Sequence, residues 1–400
     1  MLPALLVLSL SGCGGGHAAT PASRVPPGFY GIDGELLLPL AYRGLSGLLA
    51  RHLAGIESSG VDFVRAGINW SATEPRPPVV GRHHYYFGAL DRWVGALASH
   101  RLRWQVVGLG PPIPAWAADR SALPVCGNRS PPARPADLAE LMAALARRYG
   151  RGGSFWSAHP ELPREPVLQY EVWNEENHAP SWCPRPDAPA YADLYLAVHD
   201  AVHAVDPAAL VLVGGLGAFR VSGPTPGGGP ALEPGRFLAE MVAARPELLA
   251  KVDAVAIHIY DATPADVLRD LAWFRSRLAG AGLERTPMVL NETGWYTQGR
   301  GGLPATPDPR RAVYLRRLAE IASRTDCGLI GFAPHTWVTR ERNPDDPEDW
   351  YGIANPATGT PYGSGVAYGE AVRLLEGRGP GPAPTEGVPV CAASGQGGTP

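Results

Sequence analysis

The feature that most constrains this chain of 400 residues is a repeated alternation of short apolar runs with segments of helical periodicity. Eight apolar runs lie between residues 29 and 333, and apolar residues spaced three or four apart, as on one face of a helix, follow them. The runs are continuously apolar rather than alternating, which indicates strands buried on both faces and therefore a parallel sheet. Eight strand–helix units of this kind predict a single (β/α)8 TIM barrel.

The predicted strands are numbered one to eight along the chain. They cover about 29–32, 61–68, 104–109, 167–172, 210–213, 252–259, 288–290 and 328–333. The predicted helices cover about 45–56, 136–149, 194–205, 236–244, 264–278, 310–323 and 365–375. An open doubly wound sheet is the competing fold, and it usually carries a phosphate-binding glycine turn after strand one. The sequence there is DGELLLP, which favours the barrel.

Composition limits the classes of partner. The chain is 45% hydrophobic, as expected of a globular protein, and its formal net charge is −3 with a pI near 6.4. A nucleic-acid-binding protein usually presents a basic surface, and this composition predicts none. We therefore expect no nucleic acid among its partners.

The N-terminal sequence predicts export. Residues 2–10 form an apolar run that is too short to span a membrane but matches the hydrophobic part of a secretory signal, although the usual preceding basic segment is missing. The sequence Leu-Ser-Gly-Cys at 10–13 resembles the lipobox of bacterial lipoproteins, in which Cys13 would carry a lipid anchor. The predicted organisation is a signal peptide at 1–13, a flexible tether at 14–27, the (β/α)8 barrel domain at 28–377 and a Pro/Gly-rich tail at 378–400. The product would be a cell-envelope lipoprotein or a secreted protein.

Four further cysteines fit an exported chain. Cys126, Cys183, Cys327 and Cys391 could form two disulfides in three ways. We favour Cys126–Cys183 with Cys327–Cys391, while the other two connectivities stay open. Their spacing contains no Cys-x-x-Cys pair, so a zinc site built from them is not expected.

Charged residues gather where strands end. In a TIM barrel the active site lies at the carboxyl ends of the strands. Strand four ends in EVWNEEN (171–177) and strand seven in NETGW (291–295), while rings follow most of the others. Burying unpaired carboxylates is costly, so the carboxylates at these strand ends are expected to have a functional role. Two facing carboxylates suit acetal hydrolysis, and rings suit stacking on sugars.

These two stretches resemble a known group of enzymes. Trp173-Asn174-Glu175 and Asn291-Glu292-Thr293-Gly294-Trp295 are similar to the strand-four and strand-seven signatures of the clan A retaining glycoside hydrolases. The nearer resemblance is to glycoside hydrolase family 39, with family 5 close behind, and it extends to the segment 349–368. It implies that Glu175 is the general acid/base and Glu292 the nucleophile, with carboxyl groups about 5–5.5 Å apart.

The resemblance also implies substrate-binding residues. Asn174 would bond the sugar 2-hydroxyl, and Arg65 and Tyr260 would hold Glu292 ionised while Glu175 keeps its proton. His258 would line the same subsite, although a structural histidine is an equal alternative, and Trp337 would form the floor of the subsite. Two further tryptophans, Trp116 and Trp295, follow strand ends and are expected in the cleft. The implied reaction needs neither cofactor nor metal.

Several charged residues have simpler interpretations. Glu176 is treated as a loop residue, Glu171 as paired in the barrel wall, and Glu74 and His335 as structural. His199 and His203 are spaced i, i+4 on a helix outside the barrel and are also interpreted as structural.

Three other functions compete with a glycoside hydrolase of oligo- or polysaccharides. The first is a catalytically silent glycan-binding barrel, although both glutamates are present. The second is a transglycosylase that uses the same two glutamates. The third is a metal-dependent hydrolase, which would need three or more ligands at strand ends.

Overall fold

The computed structural model describes residues 25–108, 113–119, 123–126, 130–224, 229–377 and 391. The predicted signal peptide, and most of the predicted tether and tail, lie outside the described residues. The strands are β1 (Gly31–Asp33), β2 (Phe63–Gly67), β3 (Arg103–Gly108), β4 (Gln169–Val172), β5 (Leu210–Gly217), β6 (Gly223–Pro224), β7 (Pro230–Ala231), β8 (Ala254–His258), β9 (Met288–Glu292) and β10 (Leu329–Phe332).

Eight of these strands form one parallel sheet. Their order is β1-β2-β3-β4-β5-β8-β9-β10, so each pairs with the next barrel strand along the chain. The sheet closes where Tyr30, just before β1, forms a parallel bridge with Phe332, and where the Phe332 amide donates to the Phe29 carbonyl at 2.8 Å. The predicted (β/α)8 TIM barrel is confirmed.

The helices connect the strands on the outside of the barrel. They are α1 (Leu38–Tyr42), α2 (Ser46–Ser59), α3 (Trp70–Thr73), α4 (Gly88–Ser99), α5 (Leu123–Cys126), α6 (Pro135–Tyr149), α7 (Ser154–Ala158), α8 (Ala188–His203), α9 (Pro234–Ala244), α10 (Leu248–Lys251), α11 (Pro264–Gly280), α12 (Asp308–Arg324) and α13 (Gly363–Leu375), with a 3₁₀ helix at Pro347–Trp350. All seven predicted helical segments are present, and their ends agree within about three residues except that α8 begins six residues before its predicted start.

Local sequence explains where several helices begin. The Asp187 side chain accepts a hydrogen bond from the amide of Ala190 and so caps α8. Thr263 caps α11 in the same way through the amide of Asp266. Both helices have proline in the first turn, where a missing amide hydrogen costs nothing.

Side chains alternate between the two sides of the barrel wall. In β2, Val64 and Ala66 belong to the apolar layer between strands and helices, whereas Arg65 belongs to the opposite face. A small apolar cluster on the inner side consists of Leu212, Ala254, Ala256 and Val289. Beyond this apolar cluster, toward the carboxyl ends of the strands, the inner face carries charged and amide side chains. The polar groups of the barrel interior are therefore at one end of the barrel.

The glycines at 214, 215 and 217 lie within β5. A Cβ atom on Gly214 would lie 2.5 Å from Oε2 of Glu176, and one on Gly215 would lie 1.8 Å from Nε2 of His258. These glycines are therefore needed because two side chains from neighbouring strands approach the β5 backbone closely.

Both favoured disulfides are present. Cys126 is joined to Cys183 and Cys327 to Cys391, with Cα atoms 5.7 and 5.0 Å apart. The second bond joins Cys391 to Cys327, which lies two residues before the start of β10. Among the described residues, no helix has the length and hydrophobicity needed to cross a membrane.

Candidate active site

A cleft of about 750 Å³ opens at the carboxyl ends of the strands. We call it the cleft throughout. Both glutamates predicted to be catalytic line it, together with Asn174, His258 and Tyr260. The described residues lining it include four carboxylates and four aromatic rings, which are Glu35, Glu175, Glu292, Glu348, Phe219, Tyr260, Tyr296 and Tyr351. None of these lining residues is lysine or arginine.

Glu292, the last residue of β9, is held by donors on both carboxylate oxygens. Nη1 of Arg65 donates to Oε1 at 2.6 Å, and the hydroxyl of Tyr260 donates to Oε2 at 2.9 Å. Burial by itself would raise the pKa of Glu292, but the positive charges of His258, Arg65 and His335 lower it below its usual value. Glu292 is therefore ionised at neutral pH and poised to act as a nucleophile or base.

Arg65 is the shared hydrogen-bond donor at the centre of the polar side chains around Glu292. Its side chain is 4% exposed, and it forms a two-point contact with Glu171, in which Nε and Nη2 each lie 2.9 Å from a carboxylate oxygen. The same guanidinium donates to Asp33 at 2.8 Å and to Oδ1 of Asn174 at 2.7 Å. Burial would lower the pKa of Arg65, but Glu171 and Glu292 raise it well above its usual value, so the charge is permanent.

Glu175 and Glu292 face each other across His258. The imidazole Nδ1 lies 3.1 Å from Oε1 of Glu175 and 3.4 Å from Oε2 of Glu292. One carboxylate oxygen of each glutamate and a ring nitrogen of His258 all lie within 4.8 Å of one another. Burial would lower the pKa of His258, but the charges of Glu292 and Glu175 raise it. The two carboxylates are close enough to act on one small group between them.

The backbone after β4 turns sharply to bring Glu175 into the cleft. Trp173 and Glu175 have φ angles of 73° and 50°, in the left-handed region that residues with a side chain seldom adopt. Asn177 holds the turn, because its side-chain amide donates to the carbonyls of Gly217 and Leu232 and its oxygen accepts from the amide of Gly217. Strain at this position is typical of a functional site.

Glu176 lies in the turn after β4, as expected of a loop residue, but it is not exposed. It is fully buried behind Glu175. Burial raises the pKa of Glu176 well above its usual value, which favours the protonated form of the side chain.

His335 lies on the opposite side of Glu292 and belongs to the cleft, although the sequence indicated a structural role. Its Nδ1 lies 3.8 Å from Oδ1 of Asp33. Burial would lower the pKa of His335, but the carboxylates of Asp33 and Glu292 raise it to about 9. The imidazolium and Arg65 together neutralise the inner carboxylates.

The raised pKa of His335 predicts a pH dependence of stability. The pKa rises from 6.5 to about 9 on folding, so the protonated ring stabilises the fold fully below pH 6.5 and this contribution is lost as the pH rises through 9. We expect the difference in unfolding free energy between wild type and His335→Gln to shrink by up to about 3 kcal/mol between pH 6 and pH 10. Denaturant unfolding at several pH values measures it.

An exposed histidine provides the control for this prediction. His84 lies on the surface and contacts only the edge of Tyr86 among the described rings. His84→Gln should follow the wild-type curve at every pH. A difference between wild type and His335→Gln that stays constant from pH 6 to pH 10 would contradict the proposed charge on His335.

The three tryptophans predicted to bind substrate do not line the cleft. Trp337 is 1% exposed, donates to Nδ1 of His52 at 3.2 Å and packs against Gly55 of α2, outside the barrel wall. Trp295 is 2% exposed and donates to the Asp261 carbonyl. Trp337 therefore cannot be the predicted floor, because its ring is covered by helix and not open to a ligand.

Trp116, the third of these, is half-buried beside the loop after β2. Its indole nitrogen donates to the carbonyl of Glu74 at 3.0 Å, and its ring meets that of Trp70 edge to face. Glu74 is itself fully buried and accepts from Trp70 and His83, which agrees with its predicted structural role. Glu171 is also paired as expected, by Arg65 and by Asn291.

Sequence reasoning missed most of the cleft wall. Tyr296 and Tyr351 lie in the long connections after β9 and β10, and Phe219 and His178 follow β5 and β4. Loop residues carry no periodic signal that would reveal which way they point. Asp33 and Glu35, by contrast, follow strand one in GIDGE, and the rule that strand ends carry function could have identified them.

Comparisons with known proteins support the expected resemblance at the level of the fold. No protein-family model and no curated protein matches the sequence. Among solved structures, a GH39 enzyme from Xanthomonas axonopodis pv. citri is 18% identical, with 87% of this chain and 67% of that chain covered and a TM-score of 0.60.

Two other solved structures give similar values. A GH39 beta-xylosidase from Caulobacter crescentus is 18% identical, with 87% of this chain and 72% of that chain covered and a TM-score of 0.57. A GH5_18 protein from Streptomyces cattleya in complex with GlcNAc is 17% identical, with 90% of this chain and 83% of that chain covered and a TM-score of 0.59. The structural neighbours thus include members of both families that the sequence motifs indicated.

Proposed function

We propose that this protein is a retaining glycoside hydrolase that cleaves O-glycosidic bonds of an oligo- or polysaccharide by double displacement. The observation that carries the proposal is the placement of Glu175, in the turn after β4, and Glu292, the last residue of β9, whose nearest carboxylate oxygens lie within 4.8 Å of each other. Retaining enzymes hold the two carboxyl groups about 5–5.5 Å apart, whereas inverting enzymes need about 6.5–9.5 Å to admit a water. The short separation supports retention.

In the first step Glu292 acts as the nucleophile. One of its oxygens attacks the anomeric carbon, the bond from that carbon to the leaving oxygen breaks, and Glu175 gives its proton to the leaving oxygen. Arg65 and Tyr260 keep Glu292 ionised and oriented before the attack. The products of this step are a glycosyl ester of Glu292 and the released alcohol.

In the second step Glu175, now a carboxylate, serves as the base. It takes a proton from water, whose oxygen attacks the anomeric carbon and displaces Glu292 as a carboxylate. The sugar leaves with its original anomeric configuration, and both glutamates return to their starting protonation states. His258, in contact with both, keeps them in position through the cycle.

The lining of the cleft suits a neutral sugar. Carboxyl groups, imidazoles and aromatic rings line it among the described residues, and these groups can bond the hydroxyls of a neutral sugar. Phe219, Tyr260, Tyr296 and Tyr351 can stack on apolar sugar faces in place of the predicted tryptophans. Asn174, beside Glu175, is placed to bond a sugar hydroxyl.

We also propose, on the sequence alone, that the protein is exported and attached to a membrane surface through Cys13. The supporting feature is the lipobox-like Leu-Ser-Gly-Cys sequence at 10–13. Mass spectrometry of the mature N-terminus tests this, and a chain that still begins at Met1 would contradict it.

A glycan panel tests the proposed activity. Polysaccharides and aryl β-glycosides are incubated with the protein, and the products are identified by mass spectrometry. Product from wild type and from the control Glu240→Gln, but not from Glu292→Gln, is the expected result, because the Glu240 side chain on α9 is 38% exposed and does not line the cleft. Glycan binding without turnover would favour the silent barrel, and larger glycans as the main products would favour the transglycosylase.

A further inference from the structure

Three potential metal ligands meet outside the barrel, away from the cleft. His199 and His203 lie in the last turns of α8, and Asp253 immediately precedes the first residue of β8. One ligand atom from each residue lies within 4.8 Å of the others. The sequence shows the histidine pair but not the aspartate, which is 50 residues from His203 along the chain.

The imidazole rings of His199 and His203 both direct Nε2 toward the carboxylate of Asp253. Residues four apart on a helix share a face, and the centroids of the two imidazoles are 4.3 Å apart. Nε2 of His203 lies 2.8 Å from Oδ2 of Asp253, and Nε2 of His199 lies 3.9 Å from Oδ1. Ligand atoms about 2.0–2.1 Å from a tetrahedral zinc ion lie about 3.3 Å apart, a value between these two distances.

The neighbours of the group are those that a metal site requires. Nδ1 of His199 contacts Oδ1 of Asp200 at 2.8 Å, a carboxylate–histidine pair that leaves the lone pair of Nε2 free to bind. Asp200 is in turn bonded by Lys251, whose Nζ lies 2.7 and 2.8 Å from its two oxygens. Oδ2 of Asp253 also accepts from the backbone amide of Val211, at 2.8 Å, which fixes the carboxylate.

The three side chains are partly exposed, as a metal site that solvent can reach requires. The side chains of His199, His203 and Asp253 are 11%, 25% and 20% exposed. They are therefore constrained by packing yet open to solvent on one side. An ion could enter from that side, and water could complete its coordination.

We propose that His199, His203 and Asp253 bind a divalent transition-metal ion of the zinc class. Two imidazole nitrogens and one carboxylate oxygen are ligands that zinc accepts, with water in the fourth position. Because Asp253 lies at the amino end of β8, the site is at the opposite end of the barrel from Glu175 and Glu292. The ion would tie α8 to the barrel wall, and it takes no part in the proposed hydrolysis.

Zinc titration of the full chain without an affinity tag tests the site. The protein is freed of metal with a chelator, and zinc is titrated in competition with a chromophoric chelator while the melting temperature is followed. We expect one equivalent to bind at micromolar or tighter affinity and to raise the melting temperature. His203→Gln should weaken binding on the order of a hundred-fold, and Asp200→Asn about ten-fold.

His84→Gln is the matched control, since it removes an exposed histidine far from the group. It should bind zinc as wild type does. His203 is half-buried at the end of α8, so its glutamine variant is expected to fold, and circular dichroism of the metal-free protein checks this. Cobalt absorption provides a second readout, with intense visible bands for tetrahedral coordination that His203→Gln abolishes.

Either of two results would overturn the proposal. One is the absence of a stoichiometric site tighter than about 100 μM; the other is zinc binding that His203→Gln and His84→Gln weaken equally. Loss of glycosidase activity does not bear on this site, and zinc binding does not bear on the glycosidase. The two proposals can therefore fail separately.

Discussion

Replacing Glu292 by glutamine is expected to lower kcat by about four orders of magnitude or more. Glutamine keeps the size of the side chain and can still contact Arg65, but its amide cannot form the glycosyl ester. The variant should fold normally and still bind substrate, because the loss concerns a bond made only during the reaction. Initial rates on the substrate identified by the glycan panel, with melting temperature as the folding check, measure the effect.

Glu175→Gln provides the comparison. The general acid matters most when the leaving group is a poor one, since an acidic phenol can leave without receiving a proton. Glu175→Gln should therefore retain much more of its kcat/KM, which reports the first step, on an aryl glycoside with an acidic phenol than on a natural glycan. Glu292→Gln should lose activity on both. Equal losses on both substrates for Glu175→Gln would contradict the division of roles.

Replacing Arg65 by methionine is expected to destabilise the fold by about 3–5 kcal/mol. Arg65 is the common partner of Asp33, Glu171 and Glu292, and its removal leaves buried carboxylates without a permanent counter-charge. Activity at neutral pH should fall as well, because Arg65 helps to hold the pKa of Glu292 below its usual value. Denaturant unfolding and the pH–rate profile report the two effects separately.

Two variants sharpen this test. Arg236→Met removes an exposed arginine paired with Glu240 on α9 and should change the unfolding free energy by less than about 1 kcal/mol. Arg65→Met combined with Glu171→Gln removes one of the unpaired charges and should be more stable than Arg65→Met alone. An Arg65→Met protein as stable as Arg236→Met would show that the network is not held together by this guanidinium.

The architecture and the two central glutamates are predictable from the sequence. Continuous apolar runs and helical periodicity are local patterns, so they identify the strands and helices without knowledge of the fold. The barrel rule then places Glu175 and Glu292 at one end, and the same rule places Arg65, Asn174, His258 and Tyr260 there. All six meet within one hydrogen-bonded group in the structure.

The tryptophans show where this reasoning fails. A ring after a strand end can turn into the cleft or back toward the helices, and local sequence does not distinguish the two directions. Trp337 turns back onto α2, where Gly55 leaves space for it, and that contact joins residues 282 positions apart. The rings that do line the cleft, such as Tyr296 and Tyr351, lie in long loops whose course depends on tertiary packing.

Glu176 shows a different limit. EVWNEEN contains three glutamates, and the sequence does not indicate that Glu171 is buried against Arg65 while Glu176 is buried without an ion pair to a basic residue among the described residues. The space it occupies exists because Gly214 in β5 has no side chain. Two features far apart in the sequence therefore have to be combined before the position of Glu176 can be understood.

Trapping of a covalent intermediate tests the central claim most directly. The protein is incubated with a 2-deoxy-2-fluoro glycoside of the preferred sugar carrying an acidic leaving group, which slows release of the glycosyl-enzyme, and its intact mass is measured. Double displacement predicts a mass increase of one fluoroglycosyl residue, located by peptide mapping on Glu292 and absent from Glu292→Gln. Turnover of ordinary substrate with inversion of the anomeric centre, or an adduct on another residue, would contradict the account.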